Sequence, residues 1–196
     1  GYQLFFVADG MGGHAGGDIA SAIASQRIAL ADAKSETIEE AIESLKRAIL
    51  EANQMLSATV VDHPELEGMG TTFSGMLRHG NQMVIAHIGD SRIYLARDGE
   101  VTQVTSDHTF VQKLVDMGRI TPAEALIHPR RSVLMRVLGD VSGEPEIDIA
   151  IHDAMPGDRW MLCSDGLSGV VPEGVMNRIL TSKVPTEEAA ELLVGE

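Results

Sequence analysis

The chain has 196 residues, 29 of them acidic against 15 Lys and Arg, a formal net charge of -14, and 44% hydrophobic residues. At roughly 100–200 residues per domain this is one domain, two at most, and large enough to bury a core without staples. The hydrophobic share excludes a disordered acidic chain, and the charge argues against nucleic acid, whose phosphates reward Lys and Arg; it suits hard divalent cations, which take oxygen ligands.

No apolar run reaches the ~18 residues a membrane helix needs, so no membrane segment is expected in this chain. Cys163 is the lone cysteine. It excludes an intrachain disulfide and points to a reducing, cytoplasmic setting. No secretory leader pattern is present, and the chain opens directly on a strand-like segment. With no internal repeat and no linker, residues 1–196 read as a single domain.

Residues 2–8 (YQLFFVA) form a short apolar run of β-formers. The glycines from Gly10 to Gly17 predict a loop after it, with Asp18 capping a helix to about residue 32. Thr37 and Glu40 have capping-box spacing. Ile38, Ala41, Ile42, Leu45, Ile49, Ala52 and Leu56 then follow a 3.6-residue stripe, predicting a second helix that ends before His63-Pro64. From Gly70 the period becomes two. Residues 71–78, 82–87, 92–97 and 100–105 predict strands, with Asp98-Gly99 as a hairpin turn between the last two. Residues 107–139 read as an irregular helical insertion, with a helix at 109–117, a Thr121-Pro122 helix start and a break at His128-Pro129. Strands return at 146–152 and 159–163, and Pro172-Glu173 and Thr186-Glu187 open two last helices. Blocks of strands separated from blocks of helices predict an α+β fold. Two antiparallel sheets packed as a β-sandwich, flanked by helix pairs in α-β-β-α layers, would use all the pieces.

Three aspartates sit beside glycines at the ends of apolar runs: Asp9-Gly10, Gly89-Asp90 and Asp165-Gly166. A strand ending there projects its carboxylate at the sheet rim. Several such rims side by side would repel one another unless a cation such as Mg²⁺ or Mn²⁺ joined them. A single Asp-Gly reads more readily as a turn, as Asp98-Gly99 does. Three in this context leave the turn and ligand readings balanced. The glycine-rich segment lacks the Lys-Ser/Thr ending of a phosphate loop. His14 suits proton transfer near neutral pH, although an exposed loop residue is the plainer reading. His87 reads as a satisfied core histidine, Arg92 as a local salt-bridge partner of Asp90, and Cys163 as a packed thiol. Arg130-Arg131 is the one basic spot that could meet a phosphorylated partner, with a solvated surface pair as the plainer reading.

In order, residues 5–14 (FFVADGMGGH), 70–72 (GTT), 87–92 (HIGDSR) and 162–168 (LCSDGLS) resemble the motifs of the bacterial metal-dependent PPM (type 2C) Ser/Thr protein phosphatases. The likeness runs through essentially the whole chain, and residues 107–139 resemble that family's mobile flap. The resemblance implies a β-sandwich with two, and in bacterial members three, Mn²⁺ or Mg²⁺ ions at one edge. Asp9 would bridge two metals, the Gly10 carbonyl would bind the second and Asp165 the first. Asp90 with Asp165 would hold a third, with Ser132 as its neighbour. His14 lies near the place of a histidine general acid. The implied chemistry is hydrolysis of phosphoserine and phosphothreonine in proteins by a metal-activated water, with a Ser/Thr kinase or its targets as natural partners.

The chain departs from the pattern at both ends. Members carry an N-terminal strand with an Arg and an Asn-Glu-Asp segment, and a late Gly-Pro-Asp-Asn segment whose Asp binds the first metal. Gly169 stands where many relatives have Asp. The expectation is a phosphatase domain shortened at both termini. The alternatives are a pseudophosphatase or other phosphoprotein- or metal-binding module without turnover, and a nucleotide-binding domain built on the glycine segment.

Overall fold

The computed structural model describes residues 3–32, 35–139 and 143–195. Tyr2, expected to open the first strand, and Glu196 lie outside that set. The elements in chain order are β1 (Leu4–Val7), β2 (Gly10–Met11), α1 (Gly13–Ile28), α2 (Ile38–Asp62), β3 (Gly70–Thr71), β4 (Phe73–His79), β5 (Gln82–Ile88), β6 (Arg92–Arg97) and β7 (Glu100–Gln103). Then follow α3 (Phe110–Asp116), α4 (Pro122–Leu126), β8 (Asp148–Asp153), β9 (Arg159–Cys163), α5 (Asp165–Ser168), α6 (Glu173–Leu180) and α7 (Thr186–Gly195).

Among the described residues every strand pairing is antiparallel. One sheet has the order β1-β4-β5-β8, a second β7-β6-β9, and β2-β3 form a short ribbon. Alternation along each strand decides which layer a side chain joins. Met76 and Ile85 from the first sheet meet Ile93 from the second, with Trp160 and Leu162 packed against them, so the two sheets enclose an inner core. The outer face of the first sheet, with Phe73, Leu77, Val84 and Ala86, packs on α1 and α2. The outer face of the second, with Tyr94, Ala96 and Cys163, packs on α6 and α7. The expected α-β-β-α layering is the one found.

Helix α2 follows its sequence closely. Thr37 accepts a hydrogen bond from the Glu40 N–H at 3.2 Å. Ala41, Leu45, Ala48, Ile49, Ala52 and Leu56 form its buried stripe. Ile49 and Leu56 are fully enclosed, so truncating either to Ala would cost about 2–5 kcal/mol. The 98–99 hairpin also forms as expected: Asp98 and Gly99 both take positive φ, at 53° and 82°, the conformation a two-residue type I′ turn requires.

The glycine segment departs from the expected loop. It is not a loop running to Asp18. Gly10 and Met11 pair with Thr71 and Gly70, and α1 begins at Gly13 after a left-handed Gly12. Glycine inside a helix costs about 1 kcal/mol relative to Ala, but here the missing side chains permit a backbone-to-backbone contact. A Cβ on Gly10 would fall 1.9 Å from the Gly17 carbonyl oxygen, and one on Gly17 would fall 2.9 Å from the Gly10 oxygen. Tertiary packing therefore overrides the local tendency of glycine to break the helix. Gly16, Gly17, Ala20, Ala24 and Ile28 form the buried side of α1.

Residues 107–139 leave the sandwich between β7 and β8. Short helices α3 and α4 start at Thr109 and Thr121, each of whose hydroxyls accepts an N–H three residues on. The base of this segment is closed by backbone bonds. His108 and Met135, Phe110 and Val133, and Thr71 and Leu138 are joined across it. Its tip is exposed, including Leu126 and Ile127.

Candidate metal centre

Three strand ends deliver the three aspartates to one rim. Asp9 follows β1 and Asp90 follows β5, both in the first sheet, while Asp165 follows β9 in the second and opens α5. The Asp9 and Asp165 carboxyls lie within hydrogen-bonding contact; burial pushes the Asp9 carboxyl up first, and the contact and charge of Asp165 add to it. Asp90 is half-buried, and burial lifts its carboxyl to about 6, helped by the charges of Asp165, Asp107 and Asp9. In both, burial leads and the neighbouring carboxylates add to it.

None of the three aspartates has a Lys, Arg or His ion-pair partner among the described residues. Arg92 does not pair with Asp90, contrary to expectation. Its guanidinium bonds both oxygens of Asp107, at 2.9 and 2.7 Å. The bidentate geometry explains the choice, because the fork fits one carboxylate edge-on. Among the described residues the carboxylate rim is thus left without a protein cation, and its donors are all oxygen. That donor set fits a hard divalent cation such as Mg²⁺ or Mn²⁺. Among the described residues, no three His, Cys, Asp or Glu side chains close a cage on their own. The aspartates line an open rim, and the Gly10 backbone lies beside Asp9 in sequence as a further oxygen donor.

The scaffold behind the rim is a polar network. The Asp9 N–H donates to Thr72 Oγ1 at 3.0 Å, and the Thr72 N–H donates back to the Asp9 carbonyl at 2.9 Å. Thr72 Oγ1 also meets Ser91 Oγ at 2.7 Å. Gly89 precedes Asp90 with φ +109°, and a Cβ there would strike Thr72 Cγ2 at 2.7 Å. His87 is fully buried and satisfied, as expected: Nε2 meets the Ser106 carbonyl at 2.9 Å and Nδ1 meets Ser74 Oγ at 2.8 Å. Because a carbonyl only accepts, the ring proton lies on Nε2. Burial, followed by the nearby His108, pulls its pKa down to about 4.

The remaining expected site residues occupy exposed positions. His14 is exposed in the first turn of α1, not on a loop. Ser132 is exposed in the turn after α4. Arg130 lies over the Phe110 ring, 4.0 Å from its centroid, and Arg131 is exposed beside it. No side-chain hydrogen bond among the described residues links these four to the aspartates. Cys163 is buried, and burial raises its thiol to about 11, so it is protonated at neutral pH and no nucleophile. Asp107, His108, Thr72 and Ser91 carry the scaffold, and the sequence assigns none of them a role. The Gly-Thr-Thr run at 70–72 marks Thr72 as part of a motif, but nothing local signals Asp107 or His108.

The Protein phosphatase 2C family model matches residues 1–193. The serine/threonine protein phosphatase PstP of Mycobacterium tuberculosis (strain H37Rv) is 45% identical over 193 residues, 98% of this chain and 37% of that protein. The crystal structure of the Mycobacterium tuberculosis serine/threonine phosphatase PstP/Ppp superposes with a TM-score of 0.88 at 43% identity, covering 100% of this chain and 83% of that one. A PstP catalytic domain in complex with two manganese ions superposes at 0.84 with 40% identity, covering 100% of this chain and 82% of that one. The fold and these matches are those of the PPM-type phosphatases. The chain belongs to the protein phosphatase 2C family. It spans just over a third of the length of the PstP protein it matches.

Proposed function

We propose that residues 1–196 are the catalytic region of a metal-dependent protein Ser/Thr phosphatase. The carrying observation is the rim itself: Asp9, Asp90 and Asp165, brought from three strand ends of two sheets, with no protein cation among the described residues to balance them. In this reading Asp9, the Gly10 carbonyl and Asp165 would hold two Mn²⁺ or Mg²⁺ ions, with Asp9 serving both. Asp90 and Asp165 would hold a third, with Ser132 as neighbour. When bound, such cations stabilise charge on the phosphoryl oxygens and ease loss of a proton from the attacking water.

The chain's own residues supply position and proton traffic. Thr72 fixes the Asp9 backbone from both sides, and Gly89 aims Asp90. His14, exposed at the start of α1, is the general acid that protonates the leaving alkoxide. A protonated, buried Cys163 supports direct transfer to water over a covalent phosphoenzyme. Residues 107–139 act as a flap beside the rim, with Arg130 and Arg131 facing the phosphorylated partner. The substrates are phosphoserine and phosphothreonine in proteins, a Ser/Thr kinase among them, in the cytoplasm. Among the described residues no helix is long and apolar enough to cross a membrane.

The absence of a closed three-residue cage among the described residues favours one second reading, a module that binds metal or phosphoprotein without turnover. Mn²⁺-dependent hydrolysis of a phosphothreonine peptide separates the two, with Asp9→Asn and Asp165→Asn as controls. Turnover that needs metal and both carboxylates supports the phosphatase. Binding of Mn²⁺ with no turnover supports the binding module. Full activity in either Asn variant overturns the site.

A further inference from the structure

We propose that His108 is the positioning residue for Asp90, acting by capture of both peptide groups of Gly89. This rests on the reading of Asp90 as a metal-facing carboxylate. The His108 N–H donates to the Gly89 carbonyl at 2.8 Å, and the Gly89 N–H donates to His108 Nδ1 at 3.1 Å. A backbone N–H only donates, so Nδ1 presents its lone pair and the ring proton lies on Nε2. Nε2 faces Asp148 Oδ2 at 2.8 Å, and the other oxygen of Asp148 accepts from Arg136 at 3.2 Å. Asp148 on β8 thereby selects the tautomer that serves Gly89. The imidazole is 7% exposed, and its ring lies 4.7 Å from that of His87, so it has no room to turn away.

The consequence for Asp90 is geometric. Gly89 holds a backbone conformation that side chains rarely adopt, with Thr72 against its other face. Without the His108 ring, the Gly89 N–H would lose its partner in a buried place, and the Gly89 peptide would be held by the His108 backbone bond to its carbonyl alone. The Asp90 carboxylate follows that peptide directly. His108 also stands at the base of the 107–139 segment, its carbonyl accepting from the Met135 N–H at 2.8 Å. The same residue therefore ties the aspartate rim to both strands of the flap base.

The test uses the ¹⁵N-labelled chain without metal, followed by Mn²⁺ titration read by the paramagnetic resonance of free Mn²⁺. His108→Phe keeps the ring shape and removes the acceptor. His108→Asn keeps an acceptor oxygen near the Nδ1 position. In His108→Phe the Gly89 amide should exchange at least about ten-fold faster, while the Thr71 and Leu138 amides keep their protection. Mn²⁺ binding at the site weakened by Asp90→Asn should loosen about ten-fold, with the Asp9-dependent binding unchanged. His108→Asn should recover most of both effects.

An unchanged Gly89 amide in His108→Phe overturns the proposal, and so do Phe and Asn variants that behave alike. If His108→Phe fails to fold, Asp148→Ala takes its place, since Asp148 is half exposed. It should speed Gly89 exchange in the same direction, and no change would overturn the proposal. If Asp90→Asn leaves Mn²⁺ binding intact while His108→Phe still frees Gly89, the metal reading of Asp90 is what fails, and the clamp on Gly89 stands.

Discussion

Thr72 grips Asp9 from both sides. Its hydroxyl accepts the Asp9 N–H at 3.0 Å, and its own N–H donates to the Asp9 carbonyl at 2.9 Å. The same hydroxyl meets Ser91 Oγ at 2.7 Å, one residue past Asp90. Two of the three aspartates are thereby referenced to a single buried side chain. Thr72→Val keeps the shape and deletes the oxygen. It leaves the Asp9 N–H and the Ser91 hydroxyl without that partner, a cost of about 1–3 kcal/mol. Denaturant unfolding should show that loss, and Mn²⁺ affinity should fall with it, while Thr72→Ser keeps both near the parent values. A Thr72→Val variant with parental stability and affinity would dismiss the scaffold role.

Gly17 offers a second test, through bulk rather than hydrogen bonding. Alanine is the better helix former by about 1 kcal/mol, so propensity alone predicts that Gly17→Ala stabilises α1. The structure predicts the opposite. The new Cβ would sit 2.9 Å from the Gly10 carbonyl oxygen and 3.0 Å from its carbon. The backbone of Gly10 must move, and with it the oxygen proposed to face a metal. Gly17→Ala should lower Tm and weaken Mn²⁺ binding together. Gly174→Ala in α6, where a Cβ meets nothing within 4 Å, should raise Tm slightly and leave Mn²⁺ binding alone. A stabilised Gly17→Ala variant would contradict the close approach.

The contrast between these glycines shows where sequence reading works and where it fails. That Asp9, Asp90 and Asp165 end apolar runs is legible locally, although from the residues alone the turn and ligand readings stay balanced. The α2 stripe and the Asp98-Gly99 turn are legible for the same reason, since periodicity and turn chemistry act over a few residues. The start of α1 is not legible. Its glycines break helices by local propensity, and only the approach of Gly17 to Gly10 reverses that. Arg92 shows the same limit, for its partner Asp107 lies 15 residues away instead of the two that separate it from Asp90. His108 is the extreme case. Its partners Gly89 and Asp148 are 19 and 40 residues distant, and a polar network of that kind has no period to detect.

His87 makes stability depend on acidity in a defined window. Its folded pKa of about 4 lies below the ordinary 6.5 because burial disfavours the charged ring, with His108 adding to the effect. The unfolded chain binds the proton first as pH falls. Stability is therefore unaffected by this group above about pH 6.5, declines between 6.5 and 4, and is lower by about 3 kcal/mol below that. Parent and His87→Gln chains should be unfolded in denaturant at pH 7, 5.5 and 4.5. The parent should lose stability faster than the variant over this range. Parallel curves would show that His87 is not held neutral by burial.

The aspartate rim predicts an exchange of stability against binding. Without a divalent cation, Asp90 carries its charge half-buried and close to Asp165, Asp107 and Asp9. Asp90→Asn removes that repulsion while keeping the side-chain shape. At pH 7 and in chelator, the variant should unfold at higher denaturant than the parent, by on the order of 1 kcal/mol after solvent screening. With Mn²⁺ added, the order should reverse. The parent gains stability as RT ln(1 + [L]/Kd) for each ion it binds when folded, and the variant gains less. A crossing of the two stability curves as Mn²⁺ is titrated is the result expected of a site shaped for cations. If Asp90→Asn is destabilising in chelator, Asp90 serves the fold, and the rim is a hydrogen-bonded turn rather than a charge cluster awaiting metal.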